Sequence, residues 1–189
     1  MLENFDRKAV LDEIIARELD MFLAVNNEGG MADCQQRPET FRVMRRMTHD
    51  VHDDEVLASY LEDLRRAELE GRNVMVEKYA RMDDRLPPLS LSPLLDDIAD
   101  AETAFLHEAC QRYPHVIKSN GKGIFRHYLR CELETLSQAT LTLYAREVHR
   151  AVQEGRNLAV ERHECLARLL GRASLAAYEA EVAAKTRQR

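Results

Sequence analysis

Apolar residues recur along this chain at intervals of three and four, and almost nowhere at the two-residue interval of a strand. Leu11, Ile14, Met21, Phe22 and Val25 share one face of a first helix predicted over residues 7–25. The Gly29-Gly30 pair breaks a loop over residues 26–37, and Pro38 suits an early position of the next helix, which runs to about residue 48. Residues 49–54 are polar and read as a turn. From there the spacing predicts one long helix to about residue 84, closed off by Pro87-Pro88. Ser92-Pro93 opens another helix, with Ser92 as N-cap, Pro93 in the first turn and Asp96-Asp97 at the positive helix end. A loop from Tyr113-Pro114 to Gly123 follows. After Gly171 a short amphipathic piece over residues 173–184 leads into a basic tail. No run alternates β-branched with polar residues, so the expected class is all-α.

The pattern also repeats. The stretch LRRAELEGRNVMVEKY begins at Leu64 and VHRAVQEGRNLAVERH at Val148, an offset of 148 − 64 = 84 positions. In that register Leu57, Tyr60, Arg66, Ala67, Glu70, Gly71, Arg72, Asn73, Val76 and Glu77 recur as Leu141, Tyr144, Arg150, Ala151, Glu154, Gly155, Arg156, Asn157, Val160 and Glu161. The same offset aligns LDEIIARE at Leu11 with LDDIADAE at Leu95, Phe41-Arg42 with Phe125-Arg126, and Arg46 with Arg130. This predicts an internal duplication. Residues 1–86 form a first helical unit of about three helices and residues 87–189 a second. The two pack as one helical bundle about a pseudo-two-fold axis.

Some polar positions recur while their neighbours change. Arg66, Glu70, Asn73 and Glu77 are spaced to share one helix face, as are Arg150, Glu154, Asn157 and Glu161. Beside them Glu68 is replaced by Val152, Leu69 by Gln153 and Met75 by Ala159. The recurring stripe is therefore expected to be constrained and partly buried. Gly71 and Gly155 cost helix stability and suggest close approach of another backbone or a ligand. Glu18 and Glu102 recur on the first helices, and Arg42 recurs as Arg126. One reading is a symmetric lattice of Arg–Glu and Asn–backbone bonds that ties the units together. Another is a site for a small anionic or polar ligand, because arginine's planar fork suits carboxylates and phosphates. It would be lined by Arg72, Asn73, Glu77, Arg156, Asn157 and Glu161, with Asn26, Asn27, Cys34 and Gln35 covering one end. A third is a carboxylate-bridged metal pair from Glu18, Glu77, Glu102 and Glu161. That reading lacks the Glu-x-x-His spacing such bundles use, so no metal site is assigned.

The units also differ. Cys34 precedes a helix start, where a thiol gains reactivity, and His49 or His52 would be its base if it were a nucleophile. His49, His52, Asp50, Asp53 and Asp54 could hold a metal, or form a hydrated turn. Tyr79 and Arg81 belong to the first unit only; His163 and Cys165 stand there in the second. An asymmetric pocket or simple packing would account for this.

Composition removes whole classes of function. The 189 residues include 7 Gly and 5 Pro, and 32% are charged, which favours helix over loop-rich folds. The net charge is −6, and the basic residues are interleaved with acids, so no stripe for nucleic acid exists. No apolar run approaches membrane-spanning length, and the N-terminus has no apolar signal core, which points to the cytoplasm. Cys34, Cys110, Cys131 and Cys165 include no Cys-x-x-Cys pair and are expected as free thiols rather than zinc ligands.

Asn27-Glu28-Gly29-Gly30, Cys34-Gln35, the Gly-Arg-Asn tripeptide and EKYARM together resemble a bacterial family, domain of unknown function 4125. The resemblance covers nearly the whole chain, and EKYARM is its most specific part. It departs from the family pattern at Met31, where a basic residue follows the glycine pair. It implies a bacterial, cytosolic, self-contained domain and carries no activity or cofactor. The function expected is binding of a small ligand between the repeats. An enzyme using Cys34 or a carboxylate cluster, and a structural or interaction module that pairs with a partner or a second copy, are the alternatives.

Overall fold

The computed structural model describes residues 5–26, 30, 32–118 and 121–187. Among them are nine helices and no strand. They are α1 (Arg7–Leu23), α2 (Pro38–His49), α3 (Asp54–Leu69), α4 (Val74–Met82), α5 (Leu94–Arg112), α6 (Lys122–Leu133), α7 (Gln138–Gln153), α8 (Leu158–Leu169) and α9 (Leu175–Arg187). None is long and apolar enough to cross a membrane.

Helix starts follow local chemistry. Asp6 caps α1 by accepting from the Ala9 amide at 3.0 Å, and Pro38 begins α2. Ser92 does not act as the expected cap: α5 begins at Leu94, and the Ser92 hydroxyl is buried without a hydrogen-bond partner among the described residues.

The long helix predicted to residue 84 is two helices. Gly-Arg-Asn is the corner between them. After α3, Gly71 takes φ +68°, a left-handed conformation that glycine adopts without steric cost. The Arg72 amide then bonds back to the Ala67 carbonyl at 2.8 Å, satisfying the helix end. Asn73 is the N-cap of α4, its Oδ1 accepting from Met75 and Val76 amides at 3.0 Å each. Its Nδ2 donates to the Met21 carbonyl of α1 at 2.8 Å, fixing the corner to the neighbouring helix. The α7–α8 corner repeats these bonds. Gly155 has φ +66°, Arg156 bonds back to Ala151 at 2.9 Å, and Asn157 caps Val160 while donating to Phe105 at 3.0 Å. The glycines thus serve the turn and not close approach, since nothing lies within 4 Å of a Cβ built on either.

The first half therefore holds four helices and the second five, where about three were expected in each. α1 packs on α2, α3 and α4, and α5 packs on α6, α7 and α8; α9 lies against α8. α2, α3 and α4 begin at Pro38, Asp54 and Val74, and α6, α7 and α8 begin 84 positions later at Lys122, Gln138 and Leu158. Ile14, Leu57 and Leu64 anchor one core, while Leu95, Ile98, Leu141 and Leu158 anchor the other. Fully burying each such side chain stabilises the fold by roughly 1.5–3 kcal/mol. The main contacts between the halves are α3 against α7, α2 against α8, and α4 against α6.

Two buried carboxylates reinforce that junction. Asp63 of α3 accepts from the Ser137 amide at 2.9 Å and the Thr140 hydroxyl at 2.6 Å, at the start of α7. Glu147 of α7 accepts from the Asp53 amide at 2.5 Å, at the start of α3. Each half thus caps a helix of the other, where the helix dipole favours negative charge.

Candidate functional site

Where the halves meet they enclose a cavity of about 530 Å³. One wall is apolar and comes chiefly from α6: Ile124, Phe125, Leu129 and Leu133, with Leu136 beyond the helix end. The facing wall is polar and comes from Arg45, His49 and His52, with Tyr60, Lys78, Tyr144 and Arg162 beside them. Ile124 and Tyr128 are 47% and 48% exposed, so the cavity reaches the surface beside α6.

Arg45, His49 and His52 lie at i, i+4 and i+7, one face of α2 continued into the turn that follows. The residues 84 positions later are Leu129, Leu133 and Leu136. The two walls are therefore matching positions of the two halves, charged in one and aliphatic in the other.

The polar wall is internally paired. Glu18 of α1 is 0% exposed and accepts from Arg45 Nε at 2.8 Å, Arg45 Nη2 at 2.5 Å and the Tyr60 hydroxyl at 2.7 Å. His49 Nε2 lies 3.0 Å from the same carboxylate. Arg45 Nη2 also reaches Glu132 across the junction at 2.9 Å, and Lys78 Nζ meets the other Glu132 oxygen at 2.5 Å. In the second half Glu102 accepts from Arg162 Nη1 at 2.5 Å, Arg162 Nη2 at 2.7 Å and the Tyr144 hydroxyl at 2.8 Å. The tyrosine–glutamate pairs are equivalent in register, but the arginines are not. Arg45 comes from α2, whereas Arg162 comes from α8 at the position of Lys78 in the first half.

Burial opposes ionisation of Glu18, but Arg45 and His49 outweigh it and hold the carboxyl well below the usual range. The same contest holds Glu102 down through Arg162, and Glu132 down through Lys78 and Arg45. Burial and then the neighbouring carboxylates push Tyr60 and Tyr144 far above the usual phenol value. Burial lowers His49, with Arg45 adding to it, and burial likewise lowers His163. Arg45 and Lys78 face Glu18 and Glu132, and Arg162 faces Glu102. Each of these lining cations thus has a carboxylate partner, and His49 and His163 favour the neutral form.

His52 is held differently. Its Nδ1 is 2.6 Å from Glu147 Oε2, and its ring meets Tyr144 edge-on at 4.6 Å between centroids. His163 Nδ1 is 2.7 Å from the Ala159 carbonyl. Neither Nε2 has a hydrogen-bond partner among the described residues.

The residues predicted for the site lie elsewhere. Arg72 grips Glu77 with two bonds of 2.8 Å, and Arg156 grips Glu161 at 2.9 and 2.7 Å, each pair at its own corner. Asn73 and Asn157 cap the same corners, and none of these six lines the cavity. Gln35 is buried and ties the loop to the end of α1. It donates to the Phe22 and Val25 carbonyls at 3.0 and 2.9 Å, and accepts from the Ala32 amide. Asn26 is exposed, and Asn27 lies outside the described residues. Cys34 is exposed and outside the cavity lining, while its expected bases, His49 and His52, turn to Glu18 and Glu147. The four glutamates read as a metal pair are separated in the same way: Glu18 and Glu102 hold Arg45 and Arg162, whereas Glu77 and Glu161 hold the corner arginines. Among the described residues no three His, Cys, Asp or Glu side chains gather to hold a metal ion. All four cysteines are free thiols.

Fold and site together define an all-helical protein whose two halves enclose a partly polar internal space. By sequence the chain belongs to the family described as Protein of unknown function (DUF4125), which matches residues 8–180. No curated protein and no solved structure matches it.

Proposed function

We propose that this protein binds a small, uncharged and largely apolar molecule in the cavity between its halves, and that the halves are two copies of one four-helix unit related by a pseudo-two-fold axis. The observation that carries the binding reading is the pairing of an aliphatic α6 wall with a polar wall whose ions neutralise one another. A volume of about 530 Å³ falls in the ordinary range for small-molecule sites, which are mostly apolar with a few placed polar groups. An anion entering here would lose its hydration and find Arg45, Lys78 and Arg162 already held by Glu18, Glu132 and Glu102, with Lys118 at the exposed edge of the lining bonded to the Pro114 carbonyl, so the cost of burying its charge beside the polar wall would go uncompensated. This moves the ligand from the corner arginines to the cavity, and from anionic to neutral. The duplication is supported by the repeated helix starts, the two Gly-Arg-Asn corners and the reciprocal caps of Asp63 and Glu147.

The test is titration with N-phenyl-1-naphthylamine, an uncharged probe that fluoresces in apolar surroundings. Saturable one-to-one binding that Leu129→Trp abolishes, in a variant with unchanged helicity, supports the reading. Absence of binding, or binding indifferent to Leu129→Trp, refutes it.

One observation favours a second reading, catalysis by proton transfer. A buried carboxylate, Glu147, orients His52 at the cavity wall, as general-base histidines require. This reading predicts that diethyl pyrocarbonate modifies His52 in competition with the probe. Modification unaffected by saturating probe would remove it.

A further inference from the structure

The cavity reading leaves the ligand's hydrogen-bonding character open, and two histidines bear on it. The Ala159 carbonyl can only accept, so the 2.7 Å contact places the proton of neutral His163 on Nδ1. The Nε2 of that ring is then a lone pair. His52 is fixed the same way. Glu147 accepts from the Asp53 amide through Oε1 and faces His52 Nδ1 through Oε2, so in the neutral ring Nδ1 carries the proton and Nε2 accepts. Both residues line the cavity, and both Nε2 atoms lack a protein partner among the described residues.

Several donors in the same lining face protein acceptors, and Lys118 at its exposed edge donates to the Pro114 carbonyl. Tyr60 and Tyr144 give their hydroxyl protons to Glu18 and Glu102. Arg45, Lys78 and Arg162 direct N–H groups at carboxylates. The remaining Arg162 Nε–H has no partner among the described residues and is sealed from solvent. Tyr79 can both give and take. His52 and His163 are thus lining groups whose Nε2 atoms accept and meet no protein donor among the described residues.

We infer that the ligand is a hydroxyl compound, a phenol or an apolar alcohol, which donates hydrogen bonds to the Nε2 atoms of His52 and His163. This rests on the cavity being the binding site. A ketone, ether or ester of the same shape offers only acceptors and would leave both imidazole lone pairs buried and unmet, a cost that discriminates between otherwise similar ligands.

Two measurements test it. Long-range ¹H–¹⁵N correlation spectra at mildly alkaline pH should show the Nδ1–H tautomer for both His52 and His163; an Nε2–H tautomer at either overturns the assignment for that residue. The second compares 2,7-dihydroxynaphthalene, 2,7-dimethoxynaphthalene and naphthalene. The chain contains no tryptophan, so naphthalene fluorescence reports binding without interference. Two neutral hydrogen bonds predict that the dihydroxy compound binds roughly tenfold tighter than the dimethoxy compound or better. His163→Phe, which leaves the Glu147 contact intact, should remove about threefold of that preference. Equal affinity of the dihydroxy and dimethoxy compounds overturns the hydroxyl inference and leaves the cavity reading standing. Failure of all three to bind overturns the cavity reading itself.

Discussion

Arg45→Met removes a guanidinium that joins both halves at the cavity. Arg45 holds Glu18 through two bonds and Glu132 through a third, with its side chain 10% exposed and that of Glu18 0%. Removing one partner of such a buried pair typically costs about 3–5 kcal/mol, because the other charge is left in low dielectric. Glu18 retains the Tyr60 hydroxyl and His49, and Glu132 retains Lys78, so the expected cost is about 3 kcal/mol. For a domain this size that lowers Tm by roughly 6–12 °C and leaves the protein folded. The cost should depend on pH. In the native chain burial and Arg45 keep His49 below its ordinary 6.5. Without Arg45, His49 becomes the natural counterion of Glu18 and its pKa in the folded state rises. A raised histidine stabilises below its unfolded value and loses that contribution as pH climbs, so the penalty should shrink as pH falls from about 8 to about 6. Adding Glu18→Gln removes the stranded charge and should recover most of the loss. Urea unfolding followed by circular dichroism at both pH values measures each quantity. A penalty under about 1 kcal/mol at the higher pH, or one that does not shrink at the lower, refutes the paired-wall account.

The corners and the acid response give further tests. Asn73→Ala loses an N-cap and a bond to the Met21 carbonyl and should cost about 2 kcal/mol in urea unfolding. Arg72→Ala, whose side chain is 43% exposed, should cost no more than about 1 kcal/mol and leave probe binding unchanged. A binding defect in Arg72→Ala would return the site to the corner. Gly71→Ala meets no steric neighbour but must hold φ +68°, and should cost about 1–2 kcal/mol in thermal unfolding. Acid should destabilise the protein in two stages. His49 and His163 titrate below their ordinary 6.5 in the folded state, so stability present above that value is lost as pH falls through their depressed values. Glu18, Glu102 and Glu132 lie below their ordinary 4.5, and their contribution is lost on further acidification. His163→Phe should flatten the first stage in a pH series of urea midpoints.

Helical class and the starts of α1, α2 and α3 were legible in the sequence because they rest on local signals. The break after Leu69 was not, although Gly71 and Asn73 are ordinary stop and start residues. The corner consumes only Glu70 to Asn73, so the three- and four-residue spacing of Arg66, Glu70, Asn73 and Glu77 runs through it as if one helix continued. Glu70, Asn73 and Glu77 serve the corner, bonding Arg72 or capping α4, whereas Arg66 pairs with Asp63. The buried ions were missed for a different reason. Arg45, Lys78, Glu132, Glu147 and Arg162 look like solvated helix faces until tertiary packing covers them. The usable signal was the difference at positions 84 apart: Arg45, His49 and His52 against Leu129, Leu133 and Leu136.

That difference accounts for how the halves can hold a space open between them. If both walls carried the leucines, the apolar faces would close on each other and the burial gained would fill the space. If both carried arginine, like charges would face each other in low dielectric. One charged wall and one aliphatic wall avoid both outcomes. The charges stay apart from the leucines because Glu18 and Glu102 anchor them on α1 and α5, behind the wall. Docking of the halves meanwhile rests on contacts that match in register, Asp63 on the start of α7 and Glu147 on the start of α3. Arg45 and Lys78 with Glu132, His52 with Glu147, and Thr140 with Asp63 belong to both the junction and the wall. Substitutions along the α6 wall should therefore change what the cavity accepts while leaving the docking of the halves intact, whereas substitutions at Arg45 or Glu147 should change both together.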